Sequence, residues 1–276
     1  MVSLKALLLN LGAFLLPLCI DAQSATARAK AEAYLDSAYA KYSIYSLEGQ
    51  RCADTALMID PTFAAAWQQK AMPHLKNGDF PHWIELIDKA VALDPTSWLD
   101  YRAFCKIIFM KDYDGGLQDL HQAQKRVPNK TLVVMDHSYD YWKSLCYMET
   151  GRLDSALFFM QKSVDNQVEA HGFEWTHYGD LFYLGVLYFD KGQIEKATYY
   201  LDASLKNASS FPDALYYKAL IMLKTNKKDS AIDFFNRLIL AKEKGYRMNE
   251  DNEIYANYPR QIGTGELDDL RKKLGL

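Results

Sequence analysis

The chain has 276 residues, 49% of them hydrophobic, with a net charge of −3 and a pI near 6.1. That composition excludes a disordered or collagen-like chain, and the charge balance excludes a general affinity for nucleic-acid backbones. Nineteen tyrosines set against 14 glycines and eight prolines favour helices joined by few irregular loops.

Taken in order, Met1 to Ala22 reads as an export signal. Lys5 supplies the positive start, Ala6 to Leu18 is apolar apart from Asn10, and Ala22 offers a cleavage site before Gln23. The apolar run is too short to span a bilayer, so no transmembrane segment is expected after cleavage. Leu16-Pro17-Leu18-Cys19 resembles a lipobox, which would anchor the protein to the outer membrane through Cys19. Leu18 fills the place where that motif takes a small residue, so cleavage after Ala22 and a periplasmic location are the expectation. A signal followed at once by Gln23 resembles those of exported proteins of Gram-negative bacteria, the Bacteroidota in particular. Cys52, Cys105 and Cys146 are odd in number and sit within helical patterns, which predicts buried thiols rather than a disulfide framework.

The rest of the chain is organised by paired apolar stripes at helical spacing. Residues 23–60 form a first, irregular hairpin ending on Ala56 and Pro61. Residues 61–94 carry Trp67, Ala71, the turn residue Gly78 and Ala90; Trp83 stands where the pattern wants a small residue, so these helices are expected to splay. Residues 95–128 carry Tyr101, Phe104, Cys105 and Ile108, with Gly116 at the small position of the second helix and no glycine in the Lys111-Asp112-Tyr113 turn. An insertion over 129–135 precedes a hairpin over 129–170 marked by Tyr147, Gly151 and Ala156. A second insertion is expected as a loop near 165–172. The clearest hairpin, 171–211, sets Leu181, Leu184, Gly185 and Tyr188 against Ala197, Leu201 and Leu205 across Gly192. The last, 212–244, carries Ala219, Ala231 and Phe235. Residues 245–276 lose the pattern and then recover a short amphipathic helix through Leu267, Leu270 and Leu274.

Pro61 to Pro95 and Ala197 to Ala231 both span 34 positions. With the signature spacing of Leu181, Leu184, Gly185, Tyr188, Gly192 and Ala197, this resembles the tetratricopeptide repeat (TPR) family. The resemblance covers roughly residues 30 to 245 and implies an all-α, right-handed α-solenoid of about six hairpins with a C-terminal capping helix.

The resemblance also implies a protein–protein interaction scaffold without enzymatic activity, cofactor or metal, binding a protein or peptide in a concave groove lined by the first helices. Carried over by position, the groove residues are Gln68, Met72, Arg102, Lys106, Tyr141, Leu145, Phe182, Val186, Tyr216 and Leu220. Gln68, Arg102, Lys106, Tyr141, Phe182 and Tyr216 are the expected partner contacts, with the two cations favouring an acidic segment. No nucleophile elbow, phosphate-binding loop, dinucleotide fingerprint or paired-cysteine zinc motif occurs. The rival reading is a small-molecule or carbohydrate-handling protein, metal-dependent through Asp136, His137, His177 and Asp180. A third is a spacer whose groove is filled by its own C-terminal segment.

Overall fold

The computed structural model describes residues 25–127 and 132–276. The expected export signal, Cys19 and positions 129–131 of the first insertion lie outside them. As expected, the described chain is all-α. The exception is a two-residue antiparallel ladder, Val133–Val134 (β1) against His137–Ser138 (β2). The chain divides into two compact units, one up to Leu99 and one from Asp100. Among the described residues no helix is long and apolar enough to cross a membrane.

The first unit holds α1 (residues 25–39), α2 (Leu47–Ile59), α3 (Ala64–Lys76) and α4 (Phe80–Leu93). Ser46 opens α2 by accepting the Gly49 amide at 3.0 Å, satisfying one amide the helix cannot. Its core is small-residue rich, Ala31, Ala53, Ala56 and Ala66 around Leu35, Leu57 and Phe63. Trp83 is fully buried, and its indole nitrogen has no hydrogen-bond partner.

The boundary between the units falls inside α5 (Pro95–Cys105). The second unit continues with α6 (Tyr113–Arg126), α7 (Tyr139–Glu149), α8 (Leu153–His171), α9 (Tyr178–Asp190), α10 (Ile194–Asn207), α11 (Pro212–Lys224), α12 (Lys228–Glu243) and α13 (Thr264–Leu274). From α6 onward, consecutive helices pack on one another in chain order. The α9–α10 pair shows why. Leu181, Leu184, Ala197 and Leu201 are all fully buried, and a Cβ added to Gly185 would lie 2.8 Å from Leu201 Cγ. The backbones therefore approach where the sequence places its smallest residue. Gly116 on α6 plays the same part, since a Cβ there would meet Ile107 at 2.4 Å.

One turn recurs within the hairpins. Asn77–Asp79, Thr150–Arg152, Lys191–Gln193 and Thr225–Lys227 each have a left-handed middle residue: Gly78 (φ 75°), Gly151 (75°), Gly192 (72°) and Asn226 (60°). The third residue of each turn donates back into the preceding helix, Asp79 to His74, Arg152 to Tyr147, Gln193 to Tyr188 and Lys227 to Met222, at 2.8–2.9 Å. This Schellman geometry satisfies the last carbonyls of the first helix. The hairpin without a turn glycine closes differently. Lys106–Met110 is π-wound, Lys111 takes the left-handed conformation (φ 56°), and the Asp112 amide donates to the Lys106 carbonyl.

The second insertion is not a loop. Residues 165–171 continue α8 without interruption; the helix stops at Gly172 (φ 90°), and a 3-10 turn, Phe173–Trp175, follows. At the far end α13 packs on α12. Leu270 and Leu274 are buried, and the Arg271 guanidinium lies 5.8 Å from the Phe235 ring centre, so this helix covers the last repeat.

Candidate functional site

In α7 and α9 the residues Tyr139 to Cys146 and Gly179 to Tyr188 are buried without a break. A helix buried on every side needs neighbours on every side. Adjacent hairpins supply some of them; residues 246–262 supply the rest. This stretch has no helix or strand and crosses α11, α9, α7 and the turn after the π segment.

Side chains hold it mainly by its backbone. The Tyr183 hydroxyl donates to the Pro259 carbonyl at 2.8 Å, the Tyr178 hydroxyl to that of Met248, and the Lys111 ammonium to that of Asn257. In return the Ile262 amide donates to the Asp213 carboxylate at 2.6 Å. Arg260 reaches Glu149 at 3.0 Å and Asp190 at 3.1 Å, and the Tyr258 and Trp142 rings lie 6.2 Å apart. The stretch is also folded on itself: Glu253 accepts the amides of Met248 and Asn249, and the Tyr258 hydroxyl donates to Asp251 at 2.7 Å. Burial pushes the Asp213 carboxyl up to about 7, against the lowering effect of the Ile262 amide and Lys242. Burial likewise raises the Tyr141 and Tyr183 phenols well above their ordinary range.

The expected groove residues fall in different places. Tyr141 and Phe182 are fully buried. Tyr141 stacks on His137 (ring centres 3.8 Å) and meets Tyr183 edge-on at 5.6 Å, while Phe182 packs on Phe211 and Tyr217 at 5.0 and 5.7 Å. On α9 it is therefore Tyr178 and Tyr183 that turn toward the C-terminal stretch. Arg102 and Lys106 both bind Asp119, at 2.7 and 2.8 Å, so their charge ties α5 and the π segment to α6. Asp119 offsets one of the two positive charges behind the expected acidic partner. Tyr216 is half-buried, its phenol raised by burial and by Glu266 and Asp269 of α13. Gln68 belongs to the first unit and is buried, with its carbonyl oxygen unpaired.

Of the polar cluster, Asp136 stands apart and exposed in the β1–β2 turn. His137, His177 and Asp180 do converge, joined by Glu250, which sequence reasoning missed. His137 Nε2 lies 2.9 Å from Glu250 Oε2, and its Nδ1 is 3.5 Å from Asp180 Oδ2; His177 Nδ1 is 3.6 Å from the same oxygen. Asp180 Oδ1 accepts from Ser163 at 2.7 Å and Gln167 at 2.8 Å. Burial works against the charge on Asp180, but both imidazoles and Ser163 outweigh it and hold the carboxyl well below its usual range. Burial also disfavours protonated His137, yet Asp180 and Glu250 push it up to about 9. No periodicity marks Glu250; its acidic neighbours Asp251 and Glu253 make it look like solvated loop.

Residues 182–245 match the tetratricopeptide repeat family model. The chain matches no curated protein. Among solved structures it is similar to Pseudomonas aeruginosa pilF (15% identity, TM-score 0.57, covering 92% of this chain and 98% of that one). It is similar to PilW, a widely conserved type IV pilus biogenesis factor (15%, 0.58, 90% and 97%). It also resembles YrrB, a TPR protein with an unusual peptide-binding site (14%, 0.50, 69% and 92%). At such identities the likeness is one of fold. The chain thus carries a tetratricopeptide repeat segment, and its helical hairpins have the fold of TPR proteins.

Proposed function

We propose that this protein is a non-enzymatic interaction scaffold that holds an extended segment of a partner protein on the first-helix face of its second unit, in place of its own residues 246–262. One observation carries the reading: Lys111, Tyr178 and Tyr183 already grip main-chain carbonyls of a non-helical stretch there. Donors aimed at carbonyls recognise a peptide backbone of almost any sequence. YrrB, a protein of the same fold, has a peptide-binding site, which supports peptide binding by such a fold. The partner is met outside the cytoplasm, in the periplasm of a bacterium. The export-type sequence of Met1 to Ala22 supports that placement, as does the fold shared with a pilus biogenesis factor.

The test replaces residues 246–262 by a Gly-Ser linker of equal length and adds the same residues back as a labelled synthetic peptide. The peptide should bind this variant, bind it several-fold more weakly after Tyr183→Phe, and leave the unaltered chain alone. A helical linker variant that ignores the peptide would overturn the reading.

A further inference from the structure

The convergence of His137, His177 and Glu250 exceeds what a peptide-holding face requires. We propose that these three residues form a binding site for a divalent transition metal of the zinc class, with Asp180 as the group that orients His137. The site belongs to the form with residues 246–262 in place; a partner seated in their stead would carry Glu250 away.

Three separate parts of the chain deliver the donors. His137 ends the β1–β2 turn, His177 caps α9, and Glu250 comes from the C-terminal stretch. One ligand atom from each lies within 4.8 Å of the others. Zinc bonds of about 2.0–2.1 Å need tetrahedral donors roughly 3.3 Å apart, which small side-chain rotations supply. The His137 and Glu250 side chains are 6% and 8% exposed, and that of His177 is 40% exposed. The site is therefore walled on one side and open to water on the other.

Two details point to a cation rather than to an ordinary polar cluster. Glu250 Oε1 is buried with no hydrogen-bond partner, whereas Asp180 Oδ2 has the two imidazoles at 3.5 and 3.6 Å. Leaving a buried carboxylate oxygen without a donor is costly, and a divalent ion answers both charge and valence. His137 is also oriented as ligating histidines are: Nδ1 faces the Asp180 carboxylate, leaving Nε2 toward Glu250. Its ring is fixed by stacking on Tyr141 at 3.8 Å and by the edge of Trp142 at 5.5 Å. His177 Nδ1 accepts the Gly179 amide at 3.3 Å, a bond the ring gives up if it is to ligate an ion. Two imidazoles and a carboxylate suit zinc or cobalt; calcium and magnesium want oxygen donors.

A second cluster, His74, Asp79 and His82, provides the contrast. Both histidines bond Asp79 at 2.8–2.9 Å, as His137 bonds Glu250, but here the side chains are 37–66% exposed and neither Asp79 oxygen is left over. It is a surface ion-pair group and serves as the control.

Equilibrium dialysis of the full chain against zinc chloride should give one ion per molecule. Cobalt chloride should give the intense visible bands of a low-coordinate nitrogen–oxygen site. His177→Ala and Glu250→Gln should each weaken binding at least ~10-fold and abolish the bands, and Asp180→Asn should weaken it ~10–100-fold. His82→Ala should change nothing. Absence of stoichiometric binding would overturn the proposal, as would binding lost with His82→Ala but kept with His177→Ala. Because His177 is partly exposed, its alanine variant should stay folded by circular dichroism, and unchanged cobalt bands in it would be decisive against the site.

Discussion

The α9–α10 hairpin and the 246–262 stretch that lies against it are neighbours held by a different balance of forces. Of its apolar side chains the stretch buries only Met248, Tyr258, Pro259 and Ile262. The hairpin rests on apolar side chains at helical spacing, with Gly185 letting the backbones close on Leu201. The stretch rests on donors reaching its carbonyls, on Asp213, and on the ion pairs of Arg260. Shape-filling contacts of the first kind are shared by a whole core and fail together. Hydrogen bonds of the second kind are local, so the stretch should open while the repeats stay folded.

Four experiments sharpen or break that contrast. Leu201→Ala empties a fully buried site and should cost ~4 kcal/mol in urea unfolding. It should also raise amide exchange in α9, α10 and the stretch alike. Asp213 gives an effect of the same order, up to ~4 kcal/mol, that depends on pH. Its folded value near 7 lies above the unfolded value of 3.8. This contribution is therefore complete below about pH 4 and is lost as pH rises to about 7. Asp213→Asn keeps an acceptor for the Ile262 amide and should remove that fall; an unchanged slope between pH 4 and 7 would count against the assignment. Gly185→Ala should cost ~2 kcal/mol by forcing Leu201 aside. Tyr183→Phe should cost only ~1 kcal/mol overall. Its signature is local: faster exchange and proteolysis within 246–262 while α9 and α10 stay protected. If Tyr183→Phe loosens the hairpin as much as the stretch, the two regions are one cooperative unit and the contrast fails.

The same contrast explains what the sequence disclosed. Gly185, Leu201 and Gly192 could be placed because close packing and a left-handed turn each impose a residue type at a fixed interval. The capping helix was legible through Leu267, Leu270 and Leu274 for that reason. Lys111 closes a turn without glycine, so its hairpin showed only as an odd spacing. The Tyr178 and Tyr183 contacts go to carbonyls, which every residue carries, and nothing in residues 246–262 advertises where they will lie. Phe182 was favoured over Tyr183 because family position was carried across, whereas the observed facing of α9 is fixed by its packing on Phe211 and Tyr217. Glu250 meets His137 across 113 positions, a pairing that only the folded chain brings about.

The repeated Schellman turn also fixes where the chain can grow. Joints inside the four regular hairpins are three residues long and closed by the same capping bonds. Joints between hairpins range from Asp94 alone to the connection that carries the β1–β2 ladder. Tolerance of added length is therefore lopsided. A tag spliced beside Ser209 meets only a connector, whereas the same tag beside Asn226 must break a helix cap. Divergent copies of this chain should accordingly keep one set of joints constant and vary freely in the other.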